Sequence, residues 1–123
     1  EQNCNENKYD REVMSVEEYV TAYKQLIYTQ IENLDESTKE GKDKFNDFMI
    51  ELEACNYIIL VSEDLEKLNS NKIIHKDKGK NVKLRYQLNI IKNFIRHLPN
   101  KSEHEVVFKK NCQRVIQWLF FHN

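Results

Sequence analysis

Residues 15–34 read SVEEYVTAYKQLIYTQIENL, and their apolar spacing admits one regular conformation. Val16, Tyr19, Val20, Tyr23, Leu26, Ile27, Ile31 and Leu34 recur at steps of three and four, the period that stacks side chains along one stripe of an α-helix. Ser15 and Glu18 stand at capping-box spacing ahead of that stripe. The Ser hydroxyl accepts from the third helical amide and the Glu carboxylate reaches back to the cap amide. The spacing therefore predicts an amphipathic helix that starts at Ser15 and buries one face.

The same grammar repeats downstream. Ser37 and Glu40 stand at the same spacing, and Phe45, Phe48, Met49, Leu52, Cys55 and Ile59 carry the period through a second helix, whose acidic opening suits the positive end of the helix dipole. From Tyr57 to Val61 every position is apolar, so periodicity does not separate a buried helical turn from a short strand. Helix is preferred because nothing nearby would pair with a strand, and Ser62 could cap a separate short helix over Leu65 and Leu68 after a break near residues 56–62. Asn69 to Lys80 is polar, basic and closed by Gly79, and reads as a connecting loop. A third helix is expected from about Asn81 to Leu98, with Leu84, Leu88, Ile91, Phe94, Ile95 and Leu98 on one side, ended by Pro99. Ser102 and Glu105 form another box, opening a last helix with Val106, Val107, Phe108, Val115, Ile116, Trp118, Leu119, Phe120 and Phe121. That aromatic end serves either the core or a partner surface.

The expected architecture is all-α: a compact antiparallel bundle of four to five helices over residues 15–123, with a long basic loop before the third main helix. Residues 1–14 form an N-terminal flanking segment. The 123 residues suit one domain, and their 40% hydrophobic content suffices for a core. Two Gly and one Pro leave little material for the turns of a β-sandwich or barrel. No apolar run has the length of a membrane span. With Glu1 first, the chain reads as a fragment or a processed protein.

The formal charge of −1 conceals a division, since residues 1–68 carry −10 and residues 69–123 carry +9. Either the halves face each other across helix rims, or the basic half meets an anionic partner. The densest basic stretch, Lys72, Lys76, Lys78, Lys80, Lys83 and Arg85, lacks the interleaved aromatics of a platform for single-stranded nucleic acid.

Catalytic and metal patterns are missing. Gly41 and Gly79 alone build no phosphate-cradling loop, and His104-Glu105-Val106-Val107-Phe108 lacks the second His of a zinc-protease helix. Cys4, Cys55 and Cys112 give three thiols with no His at finger spacing, so no metal and no cofactor are expected. Cys55 and Cys112 lie on apolar faces, as small hydrophobes or, in a secreted protein, as a bridged pair. Asn100-Lys101-Ser102 is a glycosylation acceptor triplet on an expected loop.

Two stretches carry a family resemblance. Ile27-Tyr28-Thr29-Gln30-Ile31-Glu32-Asn33 followed by Phe48-Met49-Ile50-Glu51-Leu52, and Ile95-Arg96-His97-Leu98 followed by Val106-Val107-Phe108-Lys109-Lys110, resemble helices of one domain family. It is the integrase-binding domain of lens-epithelium-derived growth factor and hepatoma-derived growth-factor-related proteins, which belongs with the helical N-terminal domains of transcription elongation factors. Val115 and Trp118 take positions that are aromatic in the family, whereas Glu53 to Phe94 departs from its compact hairpin. The resemblance implies docking of short acidic and aromatic motifs by inter-helix loops. By position the contacts fall on Ser37 and Thr38 in the first loop and on Leu98 in the second, with Thr38 standing where the family has Asp.

The resulting expectation is a non-enzymatic helical module, nuclear or cytoplasmic, that binds a short acidic and aromatic peptide motif of a transcription or chromatin partner. Its partner-binding residues would be Ser37, Thr38, Leu98, Asn100 and Lys101, with Lys83, Arg85 and Arg96 supplying charge. The alternative is a secreted four-helix cytokine-like ligand of a cell-surface receptor. A lesser one is nucleic-acid binding through Lys72 to Arg85.

Overall fold

The computed structural model describes residues 15–69 and 80–122, with side chains for 15–67 and 84–122. Four helices account for nearly all of them: α1 Val16–Glu32, α2 Lys39–Asn69, α3 Lys80–Arg96 and α4 Glu103–Phe121. Among the described residues there is no strand, and the domain is an all-α bundle.

Two of the expected caps form in full. The Ser15 hydroxyl accepts from Glu18 N–H at 3.2 Å while Glu18 accepts from Ser15 N–H at 2.9 Å, and Ser102 with Glu105 repeats the pair at 3.1 and 3.1 Å. The cap of α2 is shifted by one residue from the expected Ser37. Asp35 Oδ1 accepts from both the Ser37 amide, at 3.1 Å, and its hydroxyl, at 2.5 Å, so Ser37 is spent on the turn. Thr38 takes over, its hydroxyl accepting from Gly41 N–H at 3.0 Å and donating to the Asp35 carbonyl at 2.9 Å. That carbonyl lies where a side chain at position 41 would begin: a Cβ added to Gly41 would stand 1.9 Å from the Asp35 oxygen. Gly41→Ala must therefore displace backbone, and is expected to cost about 1–3 kcal/mol in urea denaturation. A Tm equal to that of the parent chain would contradict this packing.

α2 runs without interruption through residues 56–62. Ser62 is buried and its hydroxyl donates to the Ile59 carbonyl at 2.7 Å, so it caps no new helix. Ile58, Ser62 and Leu65 instead continue the buried stripe of Glu51 and Cys55. At 31 residues α2 is about 46 Å long, the longest element of the bundle. α3 ends at Arg96, slightly before the expected Leu98, because the amides of His97 and Leu98 turn back to the carbonyls of Phe94 and Ile95 at 3.1 and 3.0 Å in a tightened last turn ahead of Pro99. The expected basic loop falls mainly on residues 70–79, outside the described residues, and Lys80 is already helical.

One core joins all four helices. Val16, Val20, Tyr23 and Ile27 of α1 meet Leu52, Cys55 and Ile58 of α2, Leu84, Leu88, Ile91 and Ile95 of α3, and Cys112, Val115, Ile116 and Leu119 of α4. Leu26, Met49 and Phe94, expected on buried faces, are exposed instead, at 49%, 43% and 51%. Leu26 and Phe94 directly precede Ile27 and Ile95, and one residue turns a helix by about 100°, which carries both off the buried face. Met49 lies on the side of α2 opposite Cys55 and Ile58.

Cross-helix contacts set directions. Arg114 pairs with Glu51 at 3.7 Å and Phe108 meets Tyr57 edge-on at 5.8 Å, so residue numbers fall along α4 as they rise along α2, and the two helices are antiparallel. Lys109 Nζ donates to the Leu98 carbonyl while Lys92 Nζ stands over the Phe120 ring, which makes α3 and α4 an antiparallel hairpin. An ion pair joins the two halves, Glu51 with Arg114 at 3.7 Å, and the uncharged Gln87 donates to Glu66 at 2.8 Å.

Candidate interaction surface

α3 is the most one-sided element in charge. Its sequence KNVKLRYQLNIIKNFIR holds five cations and no carboxylate, and none occurs anywhere from Lys78 to Ser102. With Leu84, Leu88, Ile91 and Ile95 turned inward, Arg85, Asn89, Lys92 and Arg96 follow at steps of four, three and four and share an exposed face. Between that face and α4 lies a cavity of about 380 Å³, lined by Lys92, Ile95, Arg96, Gln113, Ile116, Gln117 and Phe120. Ile95 and Ile116 form an apolar floor, Phe120 a wall, and the two cations one edge. Lys92 Nζ lies 5.7 Å from the Phe120 ring centre, a cation–π contact that holds cation and wall together.

A second recess of about 370 Å³ opens on the other side of the same two cations, lined by Tyr86, Asn89, Ile90, Lys92, Asn93 and Arg96. Lys92 and Arg96 thus form a ridge between an apolar socket and a shelf of amide groups. Among the described residues neither is ion-paired. The ridge ends on a fixed helix terminus, because Lys109 Nζ donates to the free carbonyls of Arg96 and Leu98 at 2.9 and 3.2 Å.

The expected site residues divide into two groups. Arg85 and Arg96 are exposed on the cationic face, and Arg96 lines both recesses. The Lys83 side chain lies outside the described residues, as do Lys72, Lys76, Lys78 and Cys4. Ser37 and Thr38 are exposed but occupied in the turn before α2, where the two Ser37 hydrogen bonds hold the Asp35 carboxyl below its usual pKa. Leu98 is half-buried against the core, Asn100 is exposed, and the Lys101 amide donates to Glu105 at 2.9 Å. The structure does not bring the two loops together. The first precedes Lys39, whereas the second leads into the α4 turn whose Phe108 meets Tyr57, eighteen residues and about 27 Å further along α2. Lys92, Gln113 and Gln117, which the sequence does not single out, complete the socket together with Phe120 of the aromatic end.

The aromatic end of α4 divides between core and surface. Leu119 is in the core, Trp118 packs edge-on against Tyr23 at 5.0 Å, and Phe121 is 83% exposed. Deeper in, Glu51 is only 4% exposed. It accepts from the Tyr23 hydroxyl and faces Arg114. Cys55 and Cys112 are free and buried, and burial pushes both thiols up to about 12, which keeps them protonated and unreactive at neutral pH. Among the described residues no three His, Cys, Asp or Glu converge as metal ligands, and no helix is long and apolar enough to cross a membrane. Comparison with protein-family models, with curated proteins and with solved structures gives no match to this chain.

Proposed function

We propose that the domain is a protein-interaction module whose α3–α4 face receives a short segment of a partner, acidic and carrying an aromatic side chain. The observation that supports this reading is the pairing of a cationic ridge without carboxylates, Lys92 and Arg96, with an apolar socket beside it. An aromatic or aliphatic side chain fits the socket and gains by leaving water, while carboxylates on either side meet the ridge and steer approach. Arg85, farther along the face, adds to the field that a partner meets before contact. A transcription or chromatin protein is the partner class that the resemblance of Ile27 to Leu52 and Ile95 to Trp118 implies. The contact surface proposed for it is the helix face, rather than the two loops.

A display library of unmodified peptide segments tests the reading. Segments rich in Asp, Glu and aromatic residues are expected to be selected, and the double reversal Lys92→Glu with Arg96→Glu is expected to weaken them at least about tenfold, with an unchanged helical circular-dichroism spectrum. Equal affinity of the reversed and parent chains would contradict the proposed surface.

A further inference from the structure

The shelf on the far side of the ridge has a more specific chemistry than acidity in general. It is lined by two cations, Lys92 and Arg96, and by the side-chain amides Asn89 and Asn93, with Ile90 and Tyr86 at its base and margin. Lys92 and Arg96 are one helical turn apart, so their Cβ atoms lie about 6 Å from each other, and Lys92 Nζ, which stands over the Phe120 ring, reaches the shelf beside Arg96 by turning away from that ring. The Asn amides stand one residue to the side on the preceding and the intervening turn, and each offers two N–H donors. Among the described residues no carboxylate lines the shelf, and the α3 sequence contains none.

We infer that this shelf holds the phosphate of a phosphorylated serine or threonine in the partner segment whose apolar side chain fills the α3–α4 socket. The inference rests on the interaction reading above and names what lies beside the anchor. A single carboxylate neutralises only one of the two cations, whereas a phosphomonoester carries about −1.5 to −2 charges at neutral pH and three acceptor oxygens. It therefore matches both cations at once and leaves an oxygen for the amides. Arg96 presents a planar fork suited to two phosphate oxygens, and Lys92 a point charge beside it. The same segment can cross the ridge and place an apolar side chain against Ile95, Ile116 and Phe120, since the two recesses share Lys92 and Arg96 as their common wall.

The test presents the full chain with short degenerate peptide libraries fixed at the centre as phosphoserine, serine or glutamate. The phosphoserine library is expected to be retained at least about tenfold more strongly than either other library, with aromatic and aliphatic residues enriched near the phosphate. Lys92→Gln and Arg96→Gln are each expected to remove that preference. Excess inorganic phosphate is expected to displace the retained phosphopeptides. Equal retention of the three libraries, with loss on Lys92→Glu and Arg96→Glu, would overturn the phosphate and leave the interaction reading standing. Retention of none of them would overturn the inference, and so would a single-stranded oligonucleotide that outcompetes the phosphopeptides.

Discussion

Between about pH 9 and pH 12 the domain is expected to lose stability as pH rises. Cys55 and Cys112 are buried, and desolvation of the thiolate, first among the causes, pushes each folded-state thiol up to about 12. In the unfolded chain a cysteine titrates near about 8.5. Within that window the unfolded state has given up protons that the folded state keeps, so it binds fewer, and stability falls as pH rises. The contribution is fully present below about pH 8.5 and gone once the pH passes the folded-state value. Each thiol adds a slope on the order of 1 kcal/mol per pH unit within the window, which is appreciable against a total stability of about 5–15 kcal/mol for a domain of this size. Tyr23 and Tyr57, whose hydroxyls burial also raises, steepen the loss above about pH 10. Urea denaturation at a series of pH values measures the slope. The double variant Cys55→Ala with Cys112→Ala is expected to flatten it, whatever it does to absolute stability. A parent chain equally stable at both ends of the window would show that the thiols are reachable by water.

Tyr23→Phe is expected to cost about 3 kcal/mol, more than a typical single hydrogen bond. The ring contacts survive the change, including the edge-on packing against Trp118. Only the hydroxyl is lost, and with it the donor to Glu51, whose carboxylate stays buried among α1, α2 and α4. Arg114, largely exposed and 3.7 Å away, compensates in part. The cost belongs to the stranded charge, so removing the charge should recover it. Adding Glu51→Met to Tyr23→Phe is expected to restore more than half of the lost stability in the same urea measurement, and the two changes are therefore strongly non-additive. Additive losses would mean that Glu51 is solvated in the folded domain.

The local code of this chain was largely legible. Ser15 with Glu18 and Ser102 with Glu105 announce their helices because a cap is decided by neighbours in sequence. At α2 two residues offer a capping hydroxyl, Ser37, with Glu40 at box spacing, and Thr38, whose third helical residue Gly41 has no side chain to complete a box. The Asp35 carboxylate decides between them by engaging Ser37, an interaction the capping pattern does not contain. Leu26, Met49 and Phe94 were assigned inward because apolar residues at both three and four steps draw a stripe wider than one neighbouring helix covers. A carboxylate between Phe48 and Leu52, on an otherwise apolar stripe, was the available signal for the buried Glu51.

Of the proposed interaction surface, Arg85 and Arg96 are visible in the sequence as charge. The sockets were not, because Gln113, Gln117 and Phe120 acquire their role only from the register of α4 against α3. Nor does sequence spacing reveal that the loops before α2 and α4 lie far apart. That follows from the unbroken length of α2 and its antiparallel pairing with α4.

Amide chemical-shift mapping of the isotope-labelled chain, titrated with a selected acidic and aromatic peptide, decides where a partner sits. If the α3–α4 face is the interaction surface, the perturbed amides cluster on Asn89 to Arg96 and Gln113 to Phe120. Perturbations confined to Ser37, Thr38 and Asn100, with α3 and α4 silent, would contradict it and return the contact to the loops.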